Sequence, residues 1–554
     1  MNGIAHKALR MDDILHAIFK SDAWLQFKDE DDRRRNFARI ARTCKAFSHY
    51  AVPAVWRSLP SLHPLLSLLA PLRLDRTDEE WLESDHYESG DPPERNKGYS
   101  WVFDAPFAPG SVARFQEHAA FVHALNIHRF PRLDSSIFFA LEYAGLYGPL
   151  LTALKILDCQ TSPFMWEAIK WVAGPSLRSL SCNLRLETID TPDDYLILAA
   201  APGEAHRMER LLRDFKSSSP LLDTLCVSDD DLEWDLSQIV PAFTNLQNLD
   251  LSECRFGRIT IESLLSLDAL PHLHTLRLPR IPLIVGQRAS VPSSVSRLEN
   301  LHIAGSTLSI AQIMQTIHPS HLRLISISGF FDYSAIARDV LEPVCIRCAG
   351  TLKEVRLHCD GDYPNDHSLA LMDVLQPFVP ARSIHTFAMY IQGNSPSVPD
   401  ADLRTLAQLW PALRVFELGS SNGPYMTEKP SLQAMVDLAH ACPELEEISL
   451  PCAVWPTIDE KPEDEERYAT HCRSNNVKVV RVGYIWTTVN GHDDPARSKD
   501  IRGIARMSNH LFPALEVRRS REMPRLKHEF SEFNSRRGMW SLVLDAIEDM
   551  RGGR

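Results

Sequence analysis

No run of 18 consecutive apolar residues occurs in this 554-residue chain, so the sequence predicts no membrane span. Cysteine is sparse. The eleven cysteines are scattered singly except for Cys345 and Cys348. That spacing excludes a disulfide framework and fits a reducing compartment, cytoplasmic or nuclear. Positive charge is in deficit, with 59 Lys and Arg against 72 Asp and Glu, a net −13. A nucleic-acid binder acting through its overall field is therefore not expected. At the start, MNGIAHKALRMDDIL carries acidic residues where a secretory leader would keep its apolar stretch.

Catalytic signatures are missing as well. The sequence has 22 histidines but no HExxH, no GxSxG elbow and no GxxxxGK[ST] phosphate loop. Asp229-Asp230-Asp231 and the acidic run at 459–467 lack the alternating spacing of a calcium loop. The lone CxxC, Cys345-Ile346-Arg347-Cys348, has no second pair to complete a zinc site. It reads as two cysteines packed inside a helix. The expectation is a non-catalytic chain with no metal and no cofactor.

What is present falls into four parts: a helical unit over 1–74, a loop-rich linker over 75–118, a repeat array over 119–520 and a helical cap over 521–554. In the first, Ile14, Leu15, Ile18 and Phe19 make one apolar stripe, followed by the charged run DEDDRRR at 29–35. Phe37, Ile40, Ala41, Cys44 and Phe47 make a second stripe, and Val52, Val55, Trp56 and Leu59 a third. Pro53 is placed near the start of that third helix and Pro60 at its end. Each buried Leu, Ile or Phe contributes only about 1.5–3 kcal/mol. A core this small needs something to dock on.

Asp13-Ile14-Leu15, Ile18-Phe19, Arg42-Thr43-Cys44-Lys45-Ala46-Phe47 and Val55-Trp56-Arg57-Ser58-Leu59 resemble the F-box in order, spacing and residue type, over roughly residues 9–60. The resemblance implies a three-helix unit binding a Skp-type adaptor, and through it a cullin. It places Ile14, Leu15, Ile18, Phe19, Ile40, Cys44, Phe47 and Trp56 at the adaptor contact. Arg10-Met11 stands where the family usually has Leu-Pro in that contact.

Residues 75–111 show no sustained period and are rich in Asp, Glu, Pro, Gly and Ser. Trp101, Phe103 and Phe107 are positioned to pin part of the linker to a neighbouring surface.

Beyond the linker the chain repeats. NLQNLDLSEC at 245–254 fits L-x-x-L-x-L-x-x-N/C through Leu246, Leu249, Leu251 and Cys254. Apolar triplets follow from Leu273, Leu298, Leu322, Leu352, Ile384, Leu413, Leu445 and Val477, 24 to 32 residues apart. Val122, Leu151, Leu177 and Leu222 open upstream units, and Cys159 and Cys254 are assigned to the buried N/C position. Pro149, Pro175, Pro220, Pro271, Pro411, Pro443 and Pro513 each stand two residues before a unit's first apolar position. With Pro at 37 of 554 residues, chance would place about one such proline in fourteen units. Proline ends the incoming helix, so a strand must begin just after it.

Helical stretches of three-and-four spacing lie between these strands: PFMWEAIKWVAG, ITIESLLSLDAL, LSIAQIMQTIH, DADLRTLAQLWP and SLQAMVDLAHACP. One strand and one helix per unit predict an α/β leucine-rich-repeat horseshoe. A parallel α/β sheet with another strand order is the alternative. The last unit, from Pro513, loses its pattern at Arg518, as a terminal cap does. The basic stretch 497–537 reads as a charged helix. Trp540, Leu542, Val543 and Ile547 then form a closing amphipathic helix.

Taken with the F-box likeness, the array resembles fungal F-box/leucine-rich-repeat proteins. That likeness implies a substrate receptor of a Skp–cullin–F-box ubiquitin ligase. The x positions of LxL face the concave side. They nominate Asn248, Asp250, Arg277, His302, Arg356, Glu417, Glu447 and Arg481 to hold a target protein. A repeat scaffold with a decayed F-box is the alternative.

Overall fold

In the computed structural model the described residues are 15, 30–76, 99–127, 132–160, 166–183, 212–228, 242–254, 261–281, 295, 297–329, 336, 340–360, 370–392, 396–420, 428–455, 476–489, 492–495, 500–521 and 539–552. They form two compact units, Met1–Cys254 and Arg255–Arg554.

Among the described residues of the first unit, helix α1 (Glu30–Ala41) packs on α2 (Lys45–Trp56). The expected single stripe from Phe37 to Phe47 is broken at 42–44. Cys44 adopts an extended conformation there and caps α2, its Sγ accepting from Phe47 N–H at 3.5 Å. Pro53 lies inside α2 rather than near the start of a third helix. Leu59 is not helical either. Strand β1 (Ser58–Leu59) pairs in parallel with β4 (Ala124–Ile127), so the array's sheet already begins within the expected 1–74 unit. Backbone pairing between residues as far apart as Ser58 and Ala124 leaves no trace in local periodicity.

α3 (His63–Leu66) buries Leu65 and Leu66. Part of the expected linker is ordered: β2 (Leu72–Arg76) and β3 (Tyr99–Phe103) pair antiparallel. Trp101 lies 4.4 Å from the ring of His63, and Phe103 sits edge-on to Phe107 at 4.8 Å. α4 (Ser111–Ala119) precedes β4, and β5 (Arg132–Leu133) joins β3 in parallel. α5 (Ser135–Tyr143) follows, and then come β6 (Ile156–Gln160), α6 (Trp166–Val172), β7 (Ser179–Asn183), β8 (Thr224–Ser228) and β9 (Asn248–Asp250). From β4 through β6 to β9 these strands are parallel neighbours.

The second unit repeats the plan. Its elements are α7 (Ile261–Ser266), β10 (Thr275–Ile281), β11 (Asn300–Gly305), α8 (Thr307–Ile317), β12 (Leu324–Gly329), α9 (Glu342–Arg347), β13 (Glu354–Cys359), α10 (Leu371–Leu375), β14 (Thr386–Ile391), α11 (Asp400–Leu409), β15 (Val415–Ser420), α12 (Leu432–Ala441), β16 (Glu447–Trp455) and β17 (Val479–Val489). Strands β10 to β17 pair in parallel, each with the next in sequence. Sequential order within each unit rules out the alternative sheet.

Register explains the repeat spacing. Leu301, Ile325, Val355, Phe387 and Phe416 stand opposite one another on successive strands. Two positions on, Ile303, Ile327, Leu357 and Met389 do the same. The unit-opening residues Val122, Leu177, Leu222, Leu246, Leu273, Leu298, Leu322, Leu352, Ile384, Leu413, Leu445 and Val477 are all at most 1% exposed. One opening residue was misplaced. In register with Leu125 and Leu180 is Leu157, which makes Leu154, not Leu151, the equivalent of Leu177. Leu150-Leu151 ahead of it offered a second frame of the same spacing. The same shift puts Cys159 on the strand beside Cys182, not at the N/C turn. Cys254 does occupy that turn, donating from Sγ to Val227 C=O at 3.2 Å.

Close packing between strands requires glycine at position 329. A Cβ on Gly329, whose φ is +128°, would lie 2.3 Å from the carbonyl oxygen of Gly305.

At the carboxyl end, β18 (His492–Pro495) pairs antiparallel with β17. The repeat from Pro513 starts as the others do. Leu515 is buried and Glu516 N–H donates to Lys478 C=O at 2.6 Å. The chain then coils into α14 (Val517–Arg521) instead of a strand, between α13 (Ile501–Leu511) and α15 (Met539–Gly552). Side chains satisfy the edge that would otherwise be open. Val480 N–H donates to Ser520 Oγ at 3.3 Å, and Trp540 Nε1 donates to Val480 C=O at 2.8 Å. In α15 it is Leu544 that is buried with Trp540, Val543 and Ile547, while Leu542 is exposed.

Trp540→Phe removes the only indole donor to Val480 C=O while keeping an aromatic ring. It is expected to cost about 1–3 kcal/mol in urea unfolding, whereas Leu542→Ala, at an exposed position, stays within about 0.5 kcal/mol.

Candidate functional site

Alternation along each strand sends one set of side chains into the core and the other to the opposite face of the sheet. In β11 and β12 the pattern is regular, each outward residue half-buried and each inward one buried. The outward row of the second unit runs Arg277, His302, Ser326, Arg356, Ala388, Glu417, Ser449, Arg481, one residue per strand in register. Five of the predicted target-holding residues therefore share one line. Glu447 sits a row below, opposite Val415 and Val479.

The row changes character along its length. Arg277 is exposed, and His302 and Arg356 are half-buried. Arg356 is steadied by Glu354, its Nε donating to Oε1 at 2.7 Å. Towards the carboxyl end the same face is covered. Ala388, Glu417, Glu447 and Ser449 are 3–5% exposed, so Glu417 and Glu447 cannot offer an acidic flank to a target. Glu447 forms a buried ion pair with Arg481, whose other nitrogen donates to Arg519 C=O at 3.2 Å. These residues hold α14 against the last strands. The signal for this was legible: TFAMYI and EISLPCAVW are near-continuous apolar runs, the mark of strands buried on both faces.

In the first unit Asn248 donates from Nδ2 to Thr224 Oγ1 at 3.2 Å. Asp250 accepts from Ser252 N–H and Oγ at 3.0 and 2.6 Å. The same Asn-to-Thr bond recurs between Asn300 and Thr275 at 3.1 Å. Asp158, Ser181, Cys226 and Asp250 form one outward row. Burial and then the Asp250 charge push the Cys226 thiol up to about 11.

Of the predicted adaptor contacts, Ile14, Ile18 and Phe19 lie outside the described residues. Leu15 is 1% exposed and therefore presents no surface to another protein. Ile40 and Phe47 are half-buried and Cys44 is exposed. Trp56 packs edge-on to His118 at 4.8 Å.

Sequence reasoning passed over two features. Phe139 and Tyr143, one turn apart on α5, and Tyr147 just after it are 69%, 97% and 74% exposed. The i, i+4 aromatic spacing in SSIFFALEYAGLY was the available signal, and exposure of large apolar groups marks interaction surfaces. At the end of β13, His358 Nε2 lies 2.9 Å from Asp360 Oδ1, and the His358 ring is 4.9 Å from that of Tyr390. Burial and the nearby Asp360 raise the Tyr390 phenol above its usual value.

Cys345 and Cys348 are buried, and Cys348 Sγ points to Pro319 C=O at 3.6 Å. Desolvation raises both thiols. Among the described residues no group of three or more His, Cys, Asp or Glu could hold a metal ion. No helix among them is long and apolar enough to cross a membrane.

Sequential parallel strands with in-register leucines and intervening helices define the class: a leucine-rich α/β solenoid. No family model matches the sequence, and no curated protein matches it. Among solved structures similar to this chain is the crystal structure of a TLR13–ssRNA13 complex, at 13% identity and a TM-score of 0.30. The match covers 72% of this chain and 54% of that one, so the chain spans about half the length of its structural neighbour. At that score the likeness carries no argument about this protein.

Two outcomes test the site's geometry. Glu447→Ala strands the Arg481 charge in a largely buried setting and is expected to cost about 3 kcal/mol in denaturant unfolding. Alkylation of Cys226 is expected to be slow at pH 8 and to accelerate as pH rises towards about 11, where its thiolate forms; mass mapping against exposed Cys44 reads the difference.

Proposed function

We propose that this chain is a non-catalytic protein-interaction receptor whose repeats hold a target protein on the outward face of the sheet. The observation that carries this reading is the in-register outward row from Arg277 to Arg356, which a folded neighbour or extended segment can contact one strand at a time. Arrays of this kind make long continuous binding faces because each repeat adds one strand.

In its finer form, the receptor is the substrate-recognition subunit of a Skp–cullin–F-box ubiquitin ligase. The F-box resemblance over residues 9–60 supports this, and so does the paired-helix arrangement of α1 and α2. Ubiquitin transfer would belong to the other subunits. Its setting would be the cytoplasm or nucleus, without membrane or nucleic acid as partner. Two observations favour a second reading, a scaffold with a decayed F-box: Arg10-Met11 in place of Leu-Pro, and the burial of Leu15.

The full chain is the proper test object, because a fragment ending near residue 70 would strip β1 of its partner β4. On the ligase reading, full-length protein co-purifies with a Skp adaptor and cullin. Ile14→Asp and Phe47→Asp abolish that without losing the target, and Arg277→Glu weakens the target about tenfold or more without losing the adaptor. Recovery of a target with no cullin from wild-type protein selects the scaffold reading instead.

A further inference from the structure

Cysteine occupies one core position in two consecutive repeats and no adjacent one. In the row that enters the core last on each strand, Ile127, Cys159, Cys182 and Val227 stand opposite one another on β4, β6, β7 and β8. The two thiols are thus flanked by aliphatic side chains along the ladder. Their sulfurs are 3.6 Å apart. Both side chains are at most 1% exposed. Neighbouring strands lie about 4.8 Å apart, inside the range of Cα separations that disulfides span.

We propose that Cys159 and Cys182 are a modification site, closing to a reversible disulfide that cross-links two consecutive repeats. The sulfurs need to approach from 3.6 Å to about 2.05 Å, and side-chain rotation with a small shift of the strands supplies that. Among the described residues no other cysteine faces them from their own row: Cys226, on β8, belongs to the outward row with Ser181 and Asp250. Cys159 also points its Sγ at Ser181 C=O, 3.2 Å away, so its thiol is already held beside β7.

The hydrogen bond with the Cys182 thiol, and then burial, raise the Cys159 thiol well above its ordinary value, which makes the closed protein slow to react. The oxidant must therefore be small, of the peroxide class. Hydrogen peroxide converts one thiol to a sulfenic acid and releases one water. The second sulfur then attacks the first, giving up its proton, and the sulfenic hydroxyl leaves as a second water. One disulfide forms from two thiols, and the two electrons lost by the sulfurs reduce one peroxide to two waters.

The consequence is mechanical. The link ties strands whose outward residues include Asp158 and Ser181, and it prevents β6 and β7 from separating. A cross-link between residues 23 positions apart in the chain narrows the unfolded ensemble and resists unfolding.

The test treats the full chain with hydrogen peroxide, blocks remaining thiols with N-ethylmaleimide under denaturing conditions, and maps peptides without reduction. A peptide pair joined through Cys159 and Cys182, about 2 Da lighter than its reduced parts and released by dithiothreitol, is the expected result. Oxidised protein should also unfold at a temperature a few degrees higher. Cys159→Val supplies the control, since Val is the residue this row carries at 227. It should keep the circular dichroism of the wild type, lose the linked peptide and lose the peroxide-dependent rise in unfolding temperature. Recovery of both cysteines as maleimide adducts after peroxide, or of either one linked to Cys226, overturns the proposal.

Discussion

Each repeat of this chain has an apolar face that it cannot cover alone. Strand-to-strand register is the constraint from which the rest follows. Because Leu301, Ile325, Val355, Phe387 and Phe416 lie directly opposite one another, every repeat buries its core residues against the repeats on either side. A slip of one residue would turn each ladder outward. Backbone pairing and side-chain burial therefore enforce the same alignment.

Each unit has a terminal element with its own pairing. In the first, the two-residue β1 pairs with β4 from within the helical segment. In the second, the last repeat begins with Leu515 and the bond from Glu516 to Lys478 C=O, then abandons the strand. Ser520 and Trp540 take over the hydrogen bonds of Val480. Side chains thus replace the missing strand.

Covering the carboxyl-terminal part of the outward face has a functional consequence. Glu417 and Glu447 become interior groups, and Glu447 and Arg481 spend their charges on each other. The proposed binding face lies where Arg277 is exposed and His302, Ser326 and Arg356 are half-buried. The buried cysteine pair in the first unit sits on the core side of its strands, so its chemistry would alter the stiffness of the array rather than its surface.

Local pattern determined the repeating units, their helices and the buried opening residue of almost every strand. Leucine spacing and preceding prolines are properties of a few adjacent residues, and burial in a solenoid depends mainly on them. Where two frames of equal spacing competed, at Leu151 and Leu154, pattern could not choose. The choice was made by pairing with strands on either side. Tertiary structure alone decided that Leu59 belongs to the sheet, that Pro53 sits inside a helix, and that Glu417 and Glu447 are interior. Those outcomes depend on which distant backbone groups meet and on what covers a face, and no short window of sequence contains either partner.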